Sequence, residues 1–280
     1  MSTVTHQPVG AGFARRVGFY LLISVIMVFF AVPLLWLVTA PFTKNPSFAI
    51  QFGPWTLENW SRTFANPYAL RSLLNSVILC GLVAVGVTVM GSLASYALSR
   101  VRFRGRDVLL YLLLLLSSIV TGTAAMVPIF ILMFQLNLID STVGTALVMT
   151  GGLLPAAIFI LKDFIDGVPK SYEESARVFG ASTGQVLRHV VLPIARPGLA
   201  TIVVWAFVQA WGNFLLPFLL LRSPAGQPAA VILKTFQDEG GSANLRIIPV
   251  FSLLYSIPVI VLYLLVSKRY GFRFYGGIKS

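Results

Sequence analysis

Six stretches of this 280-residue chain contain no Asp, Glu, Lys or Arg and are each long enough to cross a lipid bilayer as a helix. A crossing takes about 20 helical residues at ~1.5 Å of rise each. The stretches run Val17–Thr43, Ser72–Ser99, Val108–Ile139, Ser141–Leu161, Pro197–Leu221 and Ile247–Ser267. They are continuously apolar, without the in-and-out alternation of a membrane barrel strand, and a helix satisfies its own backbone polar groups in lipid. The expectation is an all-α integral membrane protein with six transmembrane helices. Composition agrees: 57% of the residues are hydrophobic and only 11% charged, against roughly 25% charged in soluble domains. The mean hydropathy is +0.85, and so few charges cannot cover a water-soluble globule of this size.

The third stretch is too long for one simple span. Pro128, with the polar Gln135 and Asn137, predicts a helix ending near Val127 and a short interfacial segment before Asp140 turns the chain into the fourth span. Orientation follows from the basic residues. With the N-terminus in the cytoplasm, 15 Lys and Arg fall on the inside and 6 on the outside, the bias that cytoplasmic loops carry. Both termini are then cytoplasmic. On this reading residues 1–16 form a cytoplasmic tail, 17–43 the first span and 44–71 an external loop. Residues 72–267 form a five-span core with an internal loop at 162–196 and an external loop at 222–246, and 268–280 form the second cytoplasmic tail. Arg15-Arg16 before an apolar run resembles an export signal, but the run is too long for a signal core and reads as an uncleaved first span.

The formal net charge of +12 does not point to nucleic acid, because the basic residues are scattered among apolar runs rather than gathered on one polar face. The single cysteine, Cys80, has no cysteine partner for a bridge or a metal site and reads as packing. Cys80, Ala84, Thr88 and Ser92 fall four apart and form a small-residue stripe on which another helix can approach closely. The two external segments, 45–71 and 222–246, show no obvious secondary structure; Trp55 and Trp60 read as interfacial anchors, and the Gly and Pro residues of the second suit an adaptable loop.

The internal loop from Lys162 to Arg196 departs from generic membrane filling. Ser171 with Glu174 has the spacing of a capping box, and Pro169 suits a helix's first turn. Tyr172, Ala176 and Phe179 recur at helical spacing, and Gly180 can end the helix in a left-handed conformation. Ser182 with Gln185 repeats the capping spacing and starts a second helix, which Pro193 is expected to stop. The result is a helix-turn-helix bracket on the cytoplasmic side. It could lie on lipid headgroups or fit a groove on a soluble protein, and the acidic Glu173 and Glu174 argue against anionic lipid as the main partner.

At these residues the chain resembles a known family. Val168 to Ala176 (VPKSYEESA), Gly180-Ala181, Leu192-Pro193 and Pro197 are similar to the EAA loop of binding-protein-dependent ABC importer permeases. Ser95 to Arg100 (SYALSR), Phe103 to Arg106, Trp211 to Phe214 and Gly276 to Lys279 resemble the carbohydrate permeases of the MalG type. The likeness covers roughly Arg71 to Ser280. Ser175 stands where the motif usually has its middle Ala, Phe179 where an acidic residue is common, and Gly212-Asn213 where an Asn-acidic pair is usual.

The resemblance implies a multi-pass protein of the bacterial cytoplasmic membrane that forms half of a translocation path. Its implied partners are a second homologous permease subunit, two ATP-binding subunits, an extracytoplasmic solute-binding protein, a sugar and the lipid membrane, with no nucleic acid. No phosphate-binding GxxxxGK[ST] loop occurs, so no cofactor is expected in this chain; ATP and magnesium belong to the partner ATPase. The implied coupling residues are Tyr172, Glu173, Glu174, Ala176, Phe179, Gly180 and Ala181, with Tyr172, Ala176 and Phe179 giving contact area, Glu174 a charge-assisted pair and Gly180 the bend. Candidate path residues are Asn75, Gln209 and Asn213 as hydrogen-bonding groups, with Trp205, Trp211 and Phe214 as surfaces for a sugar face. No catalytic or metal site is expected. Import of a glycerol phosphate or related polyol derivative is the alternative, disfavoured because no basic residue is placed in the path. The absence of charge from the six runs weakens ion-coupled transport. Gly180 to Gly184 matches GxSxG with His189 nearby, the pattern of a remote rival, an intramembrane hydrolase. A nucleophile elbow needs a strand-to-helix turn, however, and Ser182 reads as a helix cap.

Overall fold

The structure is a computed structural model in which residues 9–101, 104–120, 123–236 and 242–270 are described. Arg102-Phe103, both chain ends and Gly276 to Lys279 lie outside the described residues. The helices, in chain order, are α1 (Val9–Thr39), α2 (Glu58–Ala65), α3 (Ala69–Arg100), α4 (Arg106–Val120), α5 (Met126–Gln135), α6 (Thr142–Asp166) and α7 (Lys170–Val178). There follow α8 (Thr183–Val186), α9 (Leu192–Ile194), α10 (Arg196–Trp211), α11 (Leu215–Leu220), α12 (Ala229–Ile232) and α13 (Ile248–Tyr270). Among the described residues there is no β-strand, only an isolated bridge between Thr43 and Trp55.

Four helices among the described residues are long and apolar enough to cross a bilayer, over Arg16–Phe42, Ala69–Arg100, Thr142–Asp166 and Ile248–Lys268. A fifth is added if Thr183–Ile194 and Arg196–Trp211, bent by 81° at their junction, count as one span. The difference from six unbroken helices has a local cause in two runs. The third run is delivered as α4 and α5 joined by a 3-10 turn at Thr123–Ala125. The break thus precedes Val127, and Pro128 is the third residue of α5, where a missing N–H costs no intrahelical bond. The fifth run divides at Gly212, with α11 restarting at Leu215 after the Asn213 side-chain carbonyl accepts from the Leu216 N–H at 3.2 Å.

One compact unit comprises the described residues up to Ala65 together with Phe236–Leu254. Its α1 exposes Phe19, Leu22, Met27, Phe29 and Leu34, a surface suited to lipid. The segment after it is not a bare loop: α2 is held by Asn59, whose buried amide donates to the carbonyls of Pro41 (3.2 Å) and Thr43 (2.8 Å). Trp60 packs between Phe42 and Phe64 at 5.5 and 6.1 Å, whereas Trp55 is exposed. Arg62 bonds the Glu58 carboxylate at 2.6 and 3.0 Å and holds that carboxyl below its ordinary range.

The other unit, Asn66–Thr235 with the residues from Tyr255 onward, contains the main core. Leu79, Cys80, Val83, Ala84 and Val87 of α3 pack with Ala146, Met149, Ala157 and Leu161 of α6 and with Ile202, Ala206 and Ala210 of α10. The small-residue stripe faces inward: Cys80, Ala84 and Ser92 are buried. Small residues let helix backbones approach, so that packing and not a hydrophobic drive holds them in lipid. Gly198 marks the tightest approach, since a Cβ there would lie 2.4 to 2.8 Å from Phe164 side-chain atoms that include its own Cβ. Gly198→Ala should therefore cost about 1–3 kcal/mol by overpacking. The check is a lower melting temperature in detergent, and an unchanged one would mean that α6 and α10 separate freely at this point.

Candidate functional site

A nine-residue helix such as α7 has little stability of its own, so its orientation must come from what it packs on. It starts at Lys170 with Pro169 as N-cap and no side-chain cap, so the expected Ser171–Glu174 capping box does not form. Ser171 lies inside the first turn instead, and this register turns Glu173 inward, where its side chain is 3% exposed and ion-paired with Arg100 at 2.6 Å. The Arg100 Nε donates to Glu173 Oε1 at 2.6 Å, its Nη1 to Ser99 Oγ at 3.0 Å and its Nη2 to the carbonyls of Ile165 and Val168 at 3.1 Å. The other carboxylate oxygen accepts from the Tyr96 hydroxyl at 3.0 Å, and Arg177 lies 3.8 Å from it. Ser99 in turn donates to Asp166, which Lys162 pairs with at 2.6 Å. Around this node Tyr96, Ile165, Val168, Val186, Leu187, Val191 and Ala195 form a second apolar cluster, with Ala176, Ala181 and Leu192 packed against it.

The opposite side of the bracket is bare. Tyr172 is 57% exposed, Val178 85% and Phe179 88%, and Glu174 is exposed beside them. The apolar stripe read from the sequence is thus divided: Ala176 faces the cluster, while Tyr172 and Phe179 face outward. Gly180 adopts φ +83° and ends α7 with the Gly180 N–H on the Arg177 carbonyl (2.9 Å) and the Ala181 N–H on the Ala176 carbonyl (3.1 Å). A residue with a Cβ would be strained in this left-handed end. The second capping box does form, between Ser182 and Gln185. Pro193 does not stop the helix: α8 passes through a π-turn at Leu187–Val191 into α9, and the break comes at Ala195. Proline has no N–H for the carbonyl four residues back, and a locally widened turn accommodates that loss.

Ser182 is therefore a cap between two helices. The ring Nδ1 of His189 lies 3.2 Å from the Gln185 carbonyl, so the GxSxG match has no nucleophile geometry. Among the described residues no group of three or more His, Cys, Asp or Glu is arranged to hold a metal.

The candidate path residues separate. Gln209 and Asn213 together line a water-sized cleft of about 30 Å³ with Val148, Met149, Gly152, Leu153 and Leu216. Asn75 is instead used structurally, donating to the carbonyls of Ala225 (2.9 Å) and Gln227 (3.1 Å). Trp211 is buried between Phe207 and Tyr255 at 5.4 and 5.1 Å and packs in the core of this chain. Phe214 stacks on Phe218, and Lys234 lies 5.3 Å over its ring. A basic residue of the external segment 222–246, outside the six runs, thus stands beside one path candidate.

The segment after α11 is pinned at its start. The Asp140 carboxylate accepts the N–H groups of Arg222 and Ser223, and Ser76 accepts the Ala229 N–H at 2.8 Å. Tyr96, Arg100, Arg177 and Asp140 are not among the residues that local spacing marks as functional. The first two stand inside the SYALSR motif, and that was the available signal.

The chain is 28% identical to the maltodextrin transport system permease protein MdxG of Bacillus subtilis over 91% of its length and 93% of that protein's. It is 29% identical to the galactooligosaccharides transport system permease protein GanQ of the same organism (92% and 93%). It is 26% identical to the trehalose/maltose transport system permease protein MalG of Thermococcus litoralis (89% and 90%). In fold it is similar to a chain of a bacterial ABC transporter involved in import of the acidic polysaccharide alginate, with a TM-score of 0.79 at 21% identity, covering 96% of this chain and 100% of that one. Residues 87–271 match the family described as the binding-protein-dependent transport system inner membrane component, and the chain belongs to that family.

Proposed function

We propose that the chain forms one half of the translocation path of an ATP-driven importer. A second permease subunit supplies the other half, an external binding protein delivers a sugar, and two cytoplasmic ATPases drive the cycle. The observation that carries this reading is the bracket: one side is bolted to α3 and α6 through Glu173, and the other offers Tyr172, Val178 and Phe179 with Glu174 beside them. An exposed aromatic and aliphatic tip with a carboxylate fits a groove lined by apolar and basic side chains. ATP-driven closure of the ATPase pair would move the bracket, and α6 and α10, continuous with it, would rock between two packed states. A sugar is supported by the substrates in the names of the relatives. Lys234 over Phe214 favours a second reading, an anionic polyol derivative such as a glycerol phosphate. Binding of sugars against glycerol phosphate by the cognate binding protein separates the two.

In the co-expressed transporter, Glu174→Lys should uncouple ATP hydrolysis from uptake while the protein stays in the membrane. Uptake at the wild-type rate would remove Glu174 from the coupling surface.

A further inference from the structure

The bracket is covalently continuous with α6 at one end and α10 at the other, so displacement of its tip reaches both directly. The helix α3 has no such link.

 It ends at Arg100 and α7 begins at Lys170, with α4, α5 and α6 between them. Yet the last residue of α3 is bound to α7 at one charged node. Arg100 directs its guanidinium at acceptors on three elements: Glu173 of α7, the carbonyls of Ile165 and Val168 at and beyond the end of α6, and Ser99 of α3 itself.

We propose that Glu173 is a positioning residue that, through Arg100, locks α7 to the inner ends of α3 and α6, so that the three move as one body when the tip of the bracket is displaced. This rests on the docking reading above. The surrounding apolar cluster supplies cohesion, but apolar contact is non-directional and permits sliding. A planar fork of donors held by carboxylate and carbonyl oxygens fixes both distance and angle. Stability alone does not account for a pair buried this deeply, because an apolar pair of similar volume often holds a core as well or better. What the charged node adds is register. Both oxygens of Glu173 are engaged, one by Arg100 and one by Tyr96, and Tyr96 and Arg100 lie one helical turn apart on α3. Two attachment points on one helix resist rotation as well as translation. Because α3 packs along α6 and α10 through its buried stripe, a displacement of its inner end is carried along the whole helix. The second span is in this way recruited to a movement that the chain connections alone would deliver only to the fourth and fifth.

The test uses the complete transporter, with both permeases, the ATPase and the binding protein, reconstituted in lipid. Spin labels at Ser171 on α7 and Leu93 on α3 report the distance between the two helices with and without ATP. A cysteine at Val178 reports docking by cross-linking to the ATPase. In the wild type the cross-link forms and the distance is the same in both nucleotide states. In Glu173→Gln the cross-link persists, the distance changes with nucleotide, and uptake per ATP hydrolysed falls about tenfold, within the roughly 5- to 150-fold range of a typical coupling free energy. A Glu173→Gln transporter with the fixed distance and uptake ratio of the wild type overturns the proposal and leaves the docking reading intact. A wild-type distance that changes with nucleotide overturns it as well. Failure of the wild-type chain to cross-link overturns the docking reading, and the proposal with it. Should Glu173→Gln not accumulate, Arg100→Lys serves in its place. It keeps the positive charge, but one ammonium cannot serve Ser99, Ile165 and Val168 together with Glu173. A nucleotide-dependent distance in that variant supports the proposal, and a fixed one overturns it.

Discussion

Arg100→Met should leave Glu173 buried without its counter-charge and unseat α7 from α3 and α6, at a cost of about 3–5 kcal/mol to the packing of the bracket. The magnitude follows from the position of both partners, whose side chains are 12% and 3% exposed. A carboxylate in that setting cannot recover its hydration without moving α7 outward. Amide hydrogen exchange across Lys170–Val178 should accelerate by roughly a hundredfold or more, since each ~1.4 kcal/mol is a factor of ten. Exchange in the buried middle of α3, around Val83 and Val87, should change little, because that segment is held by a separate apolar core. The double variant Arg100→Met with Glu173→Leu removes both charges and should recover most of the lost protection. Unchanged exchange over α7 in the single variant would show that the apolar cluster alone seats the helix.

The contrast between those two clusters explains what the amino-acid order makes legible and what it does not. Uncharged runs of this length leave a helical membrane protein as nearly the only option, because unsatisfied backbone groups are too costly in lipid. The small-residue stripe on α3 was readable for the same reason, since four-residue spacing puts Cys80, Ala84 and Ser92 on one face whatever packs there. Interruptions were harder. Pro128 looked like a helix end, yet proline suits a helix's first turn, and only the position of the preceding 3-10 turn decides between those roles. The same ambiguity attends Pro193. In the bracket, local spacing supported two capping boxes, and one formed. At Ser182 nothing competes with the cap. At Ser171 the ion pair between Glu173 and Arg100 sets a different register, and its partner lies far away in the sequence. The surroundings of the path candidates were equally hidden: Asn75 and Trp211 are suitable for a hydroxylated solute by side-chain type, and the fold gives one a loop to hold and packs the other among aromatic rings. Long-range partners are set by tertiary packing and carry no local signal.

Phe179→Ala should release the ATPase without disturbing the permease. At 88% exposure this ring contributes almost nothing to the packing of its own chain, so its removal should leave the melting temperature and the exchange of α7 at their wild-type values. Aromatic side chains that become fully desolvated in a partner's pocket are the residues on which binding energy concentrates, commonly 2–4 kcal/mol each. The expected result is an ATPase affinity weaker by about 30- to 1,000-fold. ATPase subunits should be lost during purification, and uptake should fall with them. Phe179→Leu, which keeps part of the apolar area, should fall between the two. The combination of a normal permease and a lost partner distinguishes docking from membrane contact. A ring that merely lay among lipid headgroups would leave the ATPase bound, and retention of the ATPase at wild-type affinity by Phe179→Ala would therefore return the tip of the bracket to the lipid surface. Arg100→Met and Phe179→Ala act on opposite sides of one nine-residue helix. Under the docking reading both abolish uptake, but only the first loosens α7, and only the second spares the fold while weakening the grip of the ATPase.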